Sequence, residues 1–226
     1  GGLLKEIPAR PLPRAEATEG IPEENDMSRA PRIAAIVLAA GQSRRMGATN
    51  KLLAEIDGRA MGNRAVDTVR ASKAGPIVVV LGHEADRVRA AIGDGDDISF
   101  TENPRYAEGL STSLVRGLDA LPTDIDGVVL CLGDMPRVSA DVIARRVAAF
   151  DPPEGRAICI PTQNGKRGNP MLFARRFFDE VREISGDLGA RQLTGAYPEL
   201  TCDVEMSGDG VLLDVDTPDA LAKLTA

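Results

Sequence analysis

Ile33-Ala-Ala-Ile-Val-Leu-Ala-Ala-Gly-Gln-Ser-Arg-Arg-Met-Gly-Ala-Thr-Asn-Lys51 is an apolar run that leads directly into a basic loop with two glycines. A short, continuous apolar run that ends in glycine predicts a buried parallel strand whose carboxyl end opens into a loop. Open α/β sheets bind their ligands at this edge. The loop is therefore the first candidate for a functional site.

The composition of this loop favours an anion as its ligand. Gly41 and Gly47 lack a Cβ, so the backbone can approach a ligand closely and direct amide groups at it. Arg44, Arg45 and Lys51 gather positive charge here, although the chain has a formal net charge of −7. The spacing matches neither the P-loop nor the dinucleotide fingerprint, so an ordinary solvated turn explains the loop equally well at this point. Of the two arginines, Arg44 is interpreted as a solvated neighbour of Arg45.

Composition and charge limit the class of protein. The 226 residues suffice for one domain with a short appendage, and 43% hydrophobic with 27% charged residues is typical of a soluble globular protein. The acidic balance, the absence of tryptophan and an aromatic content of 3% argue against a nucleic-acid partner. No apolar run approaches the ~20 residues of a membrane span, and the N-terminus lacks a signal-peptide pattern.

Cysteine and histidine usage excludes further classes of site. Cys131, Cys159 and Cys202 are far apart without CxxC spacing, which predicts reduced thiols in a cytoplasmic protein. His83 is the only histidine, so a mechanism that needs two is excluded. Because His83 follows an apolar run at a glycine, a structural role at a helix entry is favoured over catalysis.

The N-terminal 30 residues differ from the rest of the chain. Prolines among charged residues, without apolar periodicity, predict a tail or interdomain linker over residues 1–30, followed by one domain over residues 31–226. The chain starts with Gly1-Gly2 rather than methionine. This indicates either an expression remnant or a fragment of a longer protein, and Met27 could itself be a natural start.

From Ile33 onward, apolar runs alternate with amphipathic stretches. This pattern predicts an α/β fold with a mostly parallel sheet covered by helices on both faces. Met171–Phe173 is expected to form a short strand at an edge of the sheet. The other predicted strands are Ile77–Leu81, Ile98–Phe100, Val128–Leu132 and Ala157–Ile160.

Three aspartates are candidate metal ligands. Asp134 follows an apolar strand and precedes a proline that stops it, which places the carboxylate at the same sheet edge as the basic loop. Asp214 and Asp216 lie two residues apart before Thr217-Pro218, predicted to cap the last helix. Asp134 with one of this pair could hold a hard cation such as Mg²⁺. Turn and cap chemistry is the alternative for Asp214 and Asp216.

Six motifs follow one another along the chain: Leu38-Ala-Ala-Gly-x-Ser-x-Arg-Met-Gly47, Asn50-Lys-Leu52, Asn103-Pro104 before Gly109-Leu-x-Thr-Ser113, Gly133-Asp-Met-Pro136, Gly168-Asn-Pro170 and Asp214-Val-Asp-Thr-Pro218. In this order they resemble the molybdenum cofactor cytidylyltransferase branch of the molybdopterin nucleotidyltransferases. The resemblance covers about residues 33–226.

The resemblance implies a Rossmann-like three-layer α/β/α domain of the nucleotide-diphospho-sugar transferase type. It further implies Mg²⁺-dependent transfer of CMP from CTP to the terminal phosphate of molybdopterin, with pyrophosphate released and a recipient molybdoenzyme as a further partner. The residues implied to bind the nucleotide are Leu38, Ala39, Ala40, Gly41, Gly109, Ser111 and Ser113, with Arg45 and Lys51 on its phosphates. The implied catalytic residues are Lys51, Arg45 and Asp134, and Asp134 with Asp216 or Asp214 would bind the metal. Gly168, Asn169 and Pro170 would bind the acceptor substrate.

The first four residues of the first motif, Leu38-Ala-Ala-Gly41, form its opening quartet. Within that family, alanine at the third position of this quartet, here Ala40, goes with cytidine, whereas the guanylyl branch tends to have glycine there. Asn169 departs from the histidine that the branch often has, and Asn50 departs from the proline of wider relatives. Arg191 is expected either to reach a substrate phosphate or to form a salt bridge.

Three alternatives for the function stay open. The same chemistry could act on a sugar phosphate or another phosphorylated alcohol. A non-catalytic module could bind the nucleotide and deliver cofactor to a molybdoenzyme. A dehydrogenase is compatible with the fold, but the missing dinucleotide fingerprint argues against it.

Overall fold

The computed structural model describes residues 29–47, 49–184, 189–208 and 210–225. The predicted tail, including Gly1-Gly2 and Met27, lies outside the described residues except for its last two positions. The first described residues are anchored to the domain by Asp126. The Arg29 guanidinium pairs with the Asp126 carboxylate at 2.9 Å, and the Arg32 backbone N–H donates to the same carboxylate at 2.6 Å.

The predicted α/β fold is confirmed. The strands of the described residues are β1 (Ile33–Ala39), β2 (Glu55–Ile56), β3 (Arg59–Ala60), β4 (Ile77–Leu81), β5 (Ile98–Glu102), β6 (Gly127–Leu132), β7 (Ile158–Gln163), β8 (Lys166–Arg167), β9 (Met171–Ala174) and β10 (Thr201–Glu205). The helices are α1 (Met61–Ser72), α2 (Ala85–Ile92), α3 (Leu110–Asp119), α4 (Ala140–Ala149), α5 (Phe178–Glu183), α6 (Gln192–Ala196) and α7 (Pro218–Thr225).

Strand β1 lies at the centre of the main sheet. The strand order is β10-β7-β9-β6-β1-β4-β5, with β8 paired to β7, and β1 pairs in parallel with both β4 and β6. All seven residues of β1 are buried, as expected for a parallel strand covered on both faces. The carboxyl ends of β1, β4 and β6 therefore meet at one edge of the sheet, and the basic loop leaves from that edge.

Strand β9 corrects one prediction. Met171–Phe173 was expected at an edge, but β9 lies between β6 and β7 and is antiparallel to both. All four of its residues are buried, which fits an interior position. The edge on this side of the sheet is instead formed by β10, in which Asp203 and Glu205 are exposed.

Helices cover the sheet in two groups to form the Rossmann-like three-layer α/β/α domain. Helix α1 packs against α2 and α4, and α3 packs against α5 and the central strands. The approach of α3 depends on Gly117, because a Cβ there would lie 2.8 Å from Ile36. This close packing holds the first turn of α3 over the carboxyl ends of β1 and β4.

One charged side chain is buried in the core. Arg146 on α4 is 0% exposed, and its Nη1 donates only to the Val142 carbonyl of its own helix. Its Nε and Nη2 find no hydrogen-bond partner among the described residues. Burial lowers the pKa of Arg146 to about 10, so the guanidinium stays charged at neutral pH. A buried charge without a partner costs free energy.

We therefore expect Arg146→Met to raise the free energy of unfolding by about 1–3 kcal/mol, because an apolar side chain of similar length removes that cost. Urea unfolding at pH 7 measures the change. The control is Arg145→Met on the exposed side of α4. The ion pair of Arg145 with Asp141 should contribute less than about 0.5 kcal/mol to the free energy of unfolding. A loss of stability in Arg146→Met would contradict the prediction.

Candidate functional site

A cavity of about 610 Å³ opens at the carboxyl edge of the sheet. It lies between the basic loop after β1, the segment that leads into α3, and two aspartates from later in the chain. Its lining residues are Leu38, Ala40, Gly41, Gln42, Ser43, Arg44, Arg45, Lys51, Leu52, Tyr106, Ala107, Glu108, Gly109, Leu110, Ser113, Leu132, Asp134 and Asp216.

Hydrogen bonds between its two ends hold the basic loop in shape. Ser43 adopts a left-handed conformation with φ 52°, and its Oγ accepts the backbone N–H of Lys51 at 3.0 Å. The buried Asn50 side chain accepts the Leu52 N–H at 3.1 Å, which caps the turn that Lys51 begins. Buried Met46 anchors the middle of the loop. The backbone of Lys51 is thereby fixed, while its long side chain extends into the cavity.

Four charged side chains form one network in the cavity. Lys51 Nζ donates both to Asp134 and to Asp216 Oδ1, the latter at 2.7 Å. Arg45 Nη2 contacts the other oxygen of Asp216 at 2.8 Å. The Lys51 side chain is only 12% exposed, whereas that of Arg45 is 72% exposed. Lys51 is thus the inner cation of the network and Arg45 the outer one.

The network sets the charges of its members. Burial alone would lower the pKa of Lys51, but the attraction of Asp134 and Asp216 outweighs it and raises this pKa. Burial would raise the pKa of Asp216, but the hydrogen bond from Lys51 and the charges of Lys51 and Arg45 lower it. Lys51 and Asp216 are therefore both ionised at neutral pH.

Asp134 and Asp216 come together although 82 residues separate them in sequence. Asp134 follows β6, and its backbone carbonyl accepts the N–H of buried Val215 at 3.0 Å. This bond fixes Asp216, the next residue. Asp214 is exposed and is absent from the lining found among the described residues, so the structure brings Asp216 and not Asp214 to Asp134. The predicted cap is present, since Thr217 Oγ1 accepts the Ala220 N–H at 3.2 Å.

The other residues predicted to bind nucleotide lie in three places. Leu38, Ala40, Gly41, Gly109 and Ser113 line the cavity, whereas Ala39 is buried within β1. Ser111 is buried and lines a neighbouring cavity of about 560 Å³.

The segment predicted to bind the acceptor packs against the backbone at Val211. Within the described part of the chain, Gly168, Asn169 and Pro170 do not line the main cavity. The Asn169 N–H donates to the Val211 carbonyl at 2.9 Å, and Gly168 packs directly against the same carbonyl group. The structure therefore connects this segment to the stretch that ends in Asp216.

Sequence reasoning assigned no role to several residues that shape the site. Buried Asn103 donates from Nδ2 to Thr112 Oγ1 and Ser113 Oγ, both at 2.9 Å, and so fixes the start of α3. Tyr106 and Glu108 line the cavity. Asn103-Pro104 was recognised as a break in the chain, which is the signal that points to this cluster.

Three further side chains have clear positions. Arg44 is exposed, as expected, yet it also lines the cavity. His83 donates its backbone N–H to the Ala40 carbonyl at 3.2 Å just before α2, a position that fits its predicted structural role. Arg191 is exposed at the end of a short turn, and the adjacent Asp187-Leu188 lies outside the described residues.

The donor set at Asp134 and Asp216 fits a hard cation. The two carboxylates already hold one cation, the Lys51 ammonium, between them. No group of three or more His, Cys, Asp or Glu side chains in the described residues is arranged to hold a metal ion. Magnesium ions in enzymes commonly use one or two carboxylates with substrate phosphates and water, so two carboxylates beside an anion site suffice.

Known proteins share this arrangement of elements. The chain is 26% identical over 186 residues to the molybdenum cofactor cytidylyltransferase of Escherichia coli, which covers 81% of this chain and 91% of that protein. It is also 26% identical over 199 residues to nicotine blue oxidoreductase of Paenarthrobacter nicotinovorans, covering 86% and 97%. Identity to the bifunctional protein GlmU of Kineococcus radiotolerans is 35% over 131 residues, 57% of this chain. The match spans only 26% of that longer protein.

A solved structure extends the likeness to three dimensions. Rv0371c of Mycobacterium tuberculosis superposes with a TM-score of 0.75 at 29% identity, covering 87% of this chain and 98% of that one. The same protein has been solved in complex with manganese.

The comparison at the level of families agrees with the fold. Every helix in the described residues is too short or too polar to cross a lipid bilayer. The model of one family matches residues 35–200, which include the basic loop, Asp134 and Gly168. The chain belongs to the MobA-like NTP transferase domain family, and its fold is that of the nucleotidyltransferases.

Proposed function

We propose that the protein transfers CMP from CTP to the terminal phosphate of molybdopterin, with Mg²⁺ and with release of pyrophosphate. The observation that carries the proposal is the network of Lys51, Arg45, Asp134 and Asp216 in the cavity behind β1. The relative from Escherichia coli, aligned over nearly its whole length, supports the choice of substrates. The cavity of about 610 Å³ lies within the range of ~300–1,000 Å³ typical of small-molecule sites.

The reaction needs little from the protein beyond position and charge. A phosphate oxygen of the acceptor attacks the α-phosphorus of CTP, and the bond from that phosphorus to the bridging oxygen of pyrophosphate breaks. The attacking phosphate is already an anion, so no general base is required. Lys51 and Arg45 hold the triphosphate and stabilise the charge that develops on it. Mg²⁺ held by Asp134 and Asp216 would supply further neutralisation of phosphate oxygens.

The choice of CTP over GTP rests on the opening quartet. Ala40 is 4% exposed and lines the cavity directly before Gly41. The resemblance associates alanine at this position with cytidine. Gly168, Asn169 and Pro170 remain the proposed place of the acceptor.

A pyrophosphate-release assay tests the proposal. The purified protein is supplied with CTP, GTP or UTP, each with molybdopterin or with a hexose 1-phosphate, in the presence of Mg²⁺. We expect CTP with molybdopterin to turn over at least about tenfold faster than any other pair, which corresponds to ~1.4 kcal/mol of discrimination. Faster turnover of UTP with the sugar phosphate would overturn the proposed substrates.

A sugar-phosphate acceptor is the second candidate, because the highest of the identities reported above, 35%, is to GlmU. The third is a binding module, which calorimetry would reveal as CTP binding without pyrophosphate release. The relative named nicotine blue oxidoreductase adds one more control, oxidation of NADH or NADPH. The absence of a dinucleotide fingerprint argues against that activity.

Two further elements belong to the proposal. Cys131, Cys159 and Cys202 are free thiols, which suits a reducing compartment such as the cytoplasm. The product would pass to a molybdoenzyme, since a nucleotide-modified cofactor is consumed by insertion into a protein.

A further inference from the structure

Lys51 occupies the place between the carboxylates that a divalent cation would take. Its ammonium nitrogen contacts Asp134 and Asp216 at once, and Arg45 closes the outer side of Asp216. Two carboxylates are matched by two cations, so the network is complete without a metal ion. A divalent cation that approaches these carboxylates must displace the Lys51 ammonium, or it must share the carboxylate oxygens with the ammonium against charge repulsion.

The side chain of Lys51 can leave this position without any change in the loop. Its backbone is held by Ser43 and Asn50, but the four-carbon stem of a lysine is flexible. The ammonium lies in the same cavity as Arg44 and Arg45, where a triphosphate would lie. Bound phosphates would offer Lys51 a second set of anionic partners. Lys51 would then leave Asp134 and Asp216 at the same time as the nucleotide binds.

We propose that Lys51 is an internal cation that holds Asp134 and Asp216 until a nucleoside triphosphate draws its ammonium away, so that metal binds with the nucleotide and not before it. The inference rests on the proposed function, since it takes the ligand to be a triphosphate. It assigns Lys51 a role in the order of binding, besides phosphate binding.

A titration with Mn²⁺ in the absence of nucleotide tests the inference. Free Mn²⁺ is followed by electron paramagnetic resonance in the wild type and in Lys51→Gln. We expect Lys51→Gln to bind Mn²⁺ at least about tenfold more tightly, because the competing ammonium is gone. The same variant should lose turnover with CTP, so that affinity and activity change in opposite directions.

Arg45→Gln is the matched control. It removes the same charge from the same network, but Arg45 contacts only Asp216 and is mostly exposed. We expect its affinity for Mn²⁺ to rise by less than about threefold. An equal rise in both variants would reduce the effect to net charge and overturn the inference, as would unchanged or weaker binding in Lys51→Gln.

A second variant and a second measurement complete the test. Lys51→Met serves if Lys51→Gln does not fold, as judged by its unfolding transition. In the wild type, α,β-methylene-CTP should raise the affinity for Mn²⁺ at least about tenfold, and in the variant by less. Pyrophosphate release by the wild type decides the proposed function separately. In one outcome, the wild type turns over CTP while Lys51→Gln leaves Mn²⁺ binding unchanged. That result would support the proposed function and reject the role of Lys51 as an internal cation.

Discussion

Asp134→Asn is expected to reduce CTP-dependent pyrophosphate release by about 10³-fold. The amide keeps the shape of the side chain but removes the negative charge that faces Lys51 at the end of β6. The variant therefore loses one of the two carboxylates proposed to hold Mg²⁺. Losing a single preorganised electrostatic contact to the transition state costs about 10²–10³-fold in other enzymes.

Asp214→Asn provides the matched control for this variant. Asp214 lies two residues before Asp216 but is exposed, and among the described residues it is not part of the cavity lining. We expect less than a threefold change in turnover. Initial rates at saturating CTP and a range of Mg²⁺ concentrations measure both variants. Unchanged turnover in Asp134→Asn would reject the metal assignment, and a severe loss in Asp214→Asn would show that the wrong member of the pair had been chosen.

Local patterns predicted the parts of the site that lie at strand ends. The apolar run of β1 and the glycine after it placed the basic loop at the carboxyl edge of the sheet. The same reasoning placed Asp134 there, since five apolar residues precede Gly133. Periodicity is a reliable guide in such segments because burial on both faces demands a continuous apolar run.

Contacts between distant parts of the chain could not be predicted in this way. Asp214 and Asp216 are equivalent by spacing, and only the bond from the Val215 N–H to the Asp134 carbonyl selects Asp216. The prediction placed β9 at an edge of the sheet, whereas it lies between β6 and β7. A short apolar stretch is compatible with an interior antiparallel strand and with an edge strand, so its sequence does not distinguish the two. The bridging position of Lys51 depends on side chains from three elements, so the sequence predicts its charge but not its partners.

Gly168→Ala is expected to reduce turnover by about 10²-fold through its effect on the position of Asp216. A Cβ at Gly168 would lie well under 3.0 Å from the Val211 carbonyl oxygen, a backbone atom that cannot turn aside as a side chain does. The Gly168 N–H is itself held by the Pro161 carbonyl at 2.8 Å. The strain must therefore move the stretch from Val211 to Asp216, and a shift of about 1 Å at a catalytic group can cost 10²-fold.

Two readouts separate this positioning role from the acceptor-binding role that the resemblance implies. If Gly168 positions Asp216, Gly168→Ala weakens Mn²⁺ binding in the presence of α,β-methylene-CTP and lowers the free energy of unfolding by about 1–3 kcal/mol. If it only contacts the acceptor, KM for molybdopterin rises while both of those quantities stay unchanged. Gly195→Ala in α6 is the control, because a Cβ there meets no atom within 4 Å. Alanine should leave turnover unchanged at that site and stabilise the helix by about 0.5–1 kcal/mol.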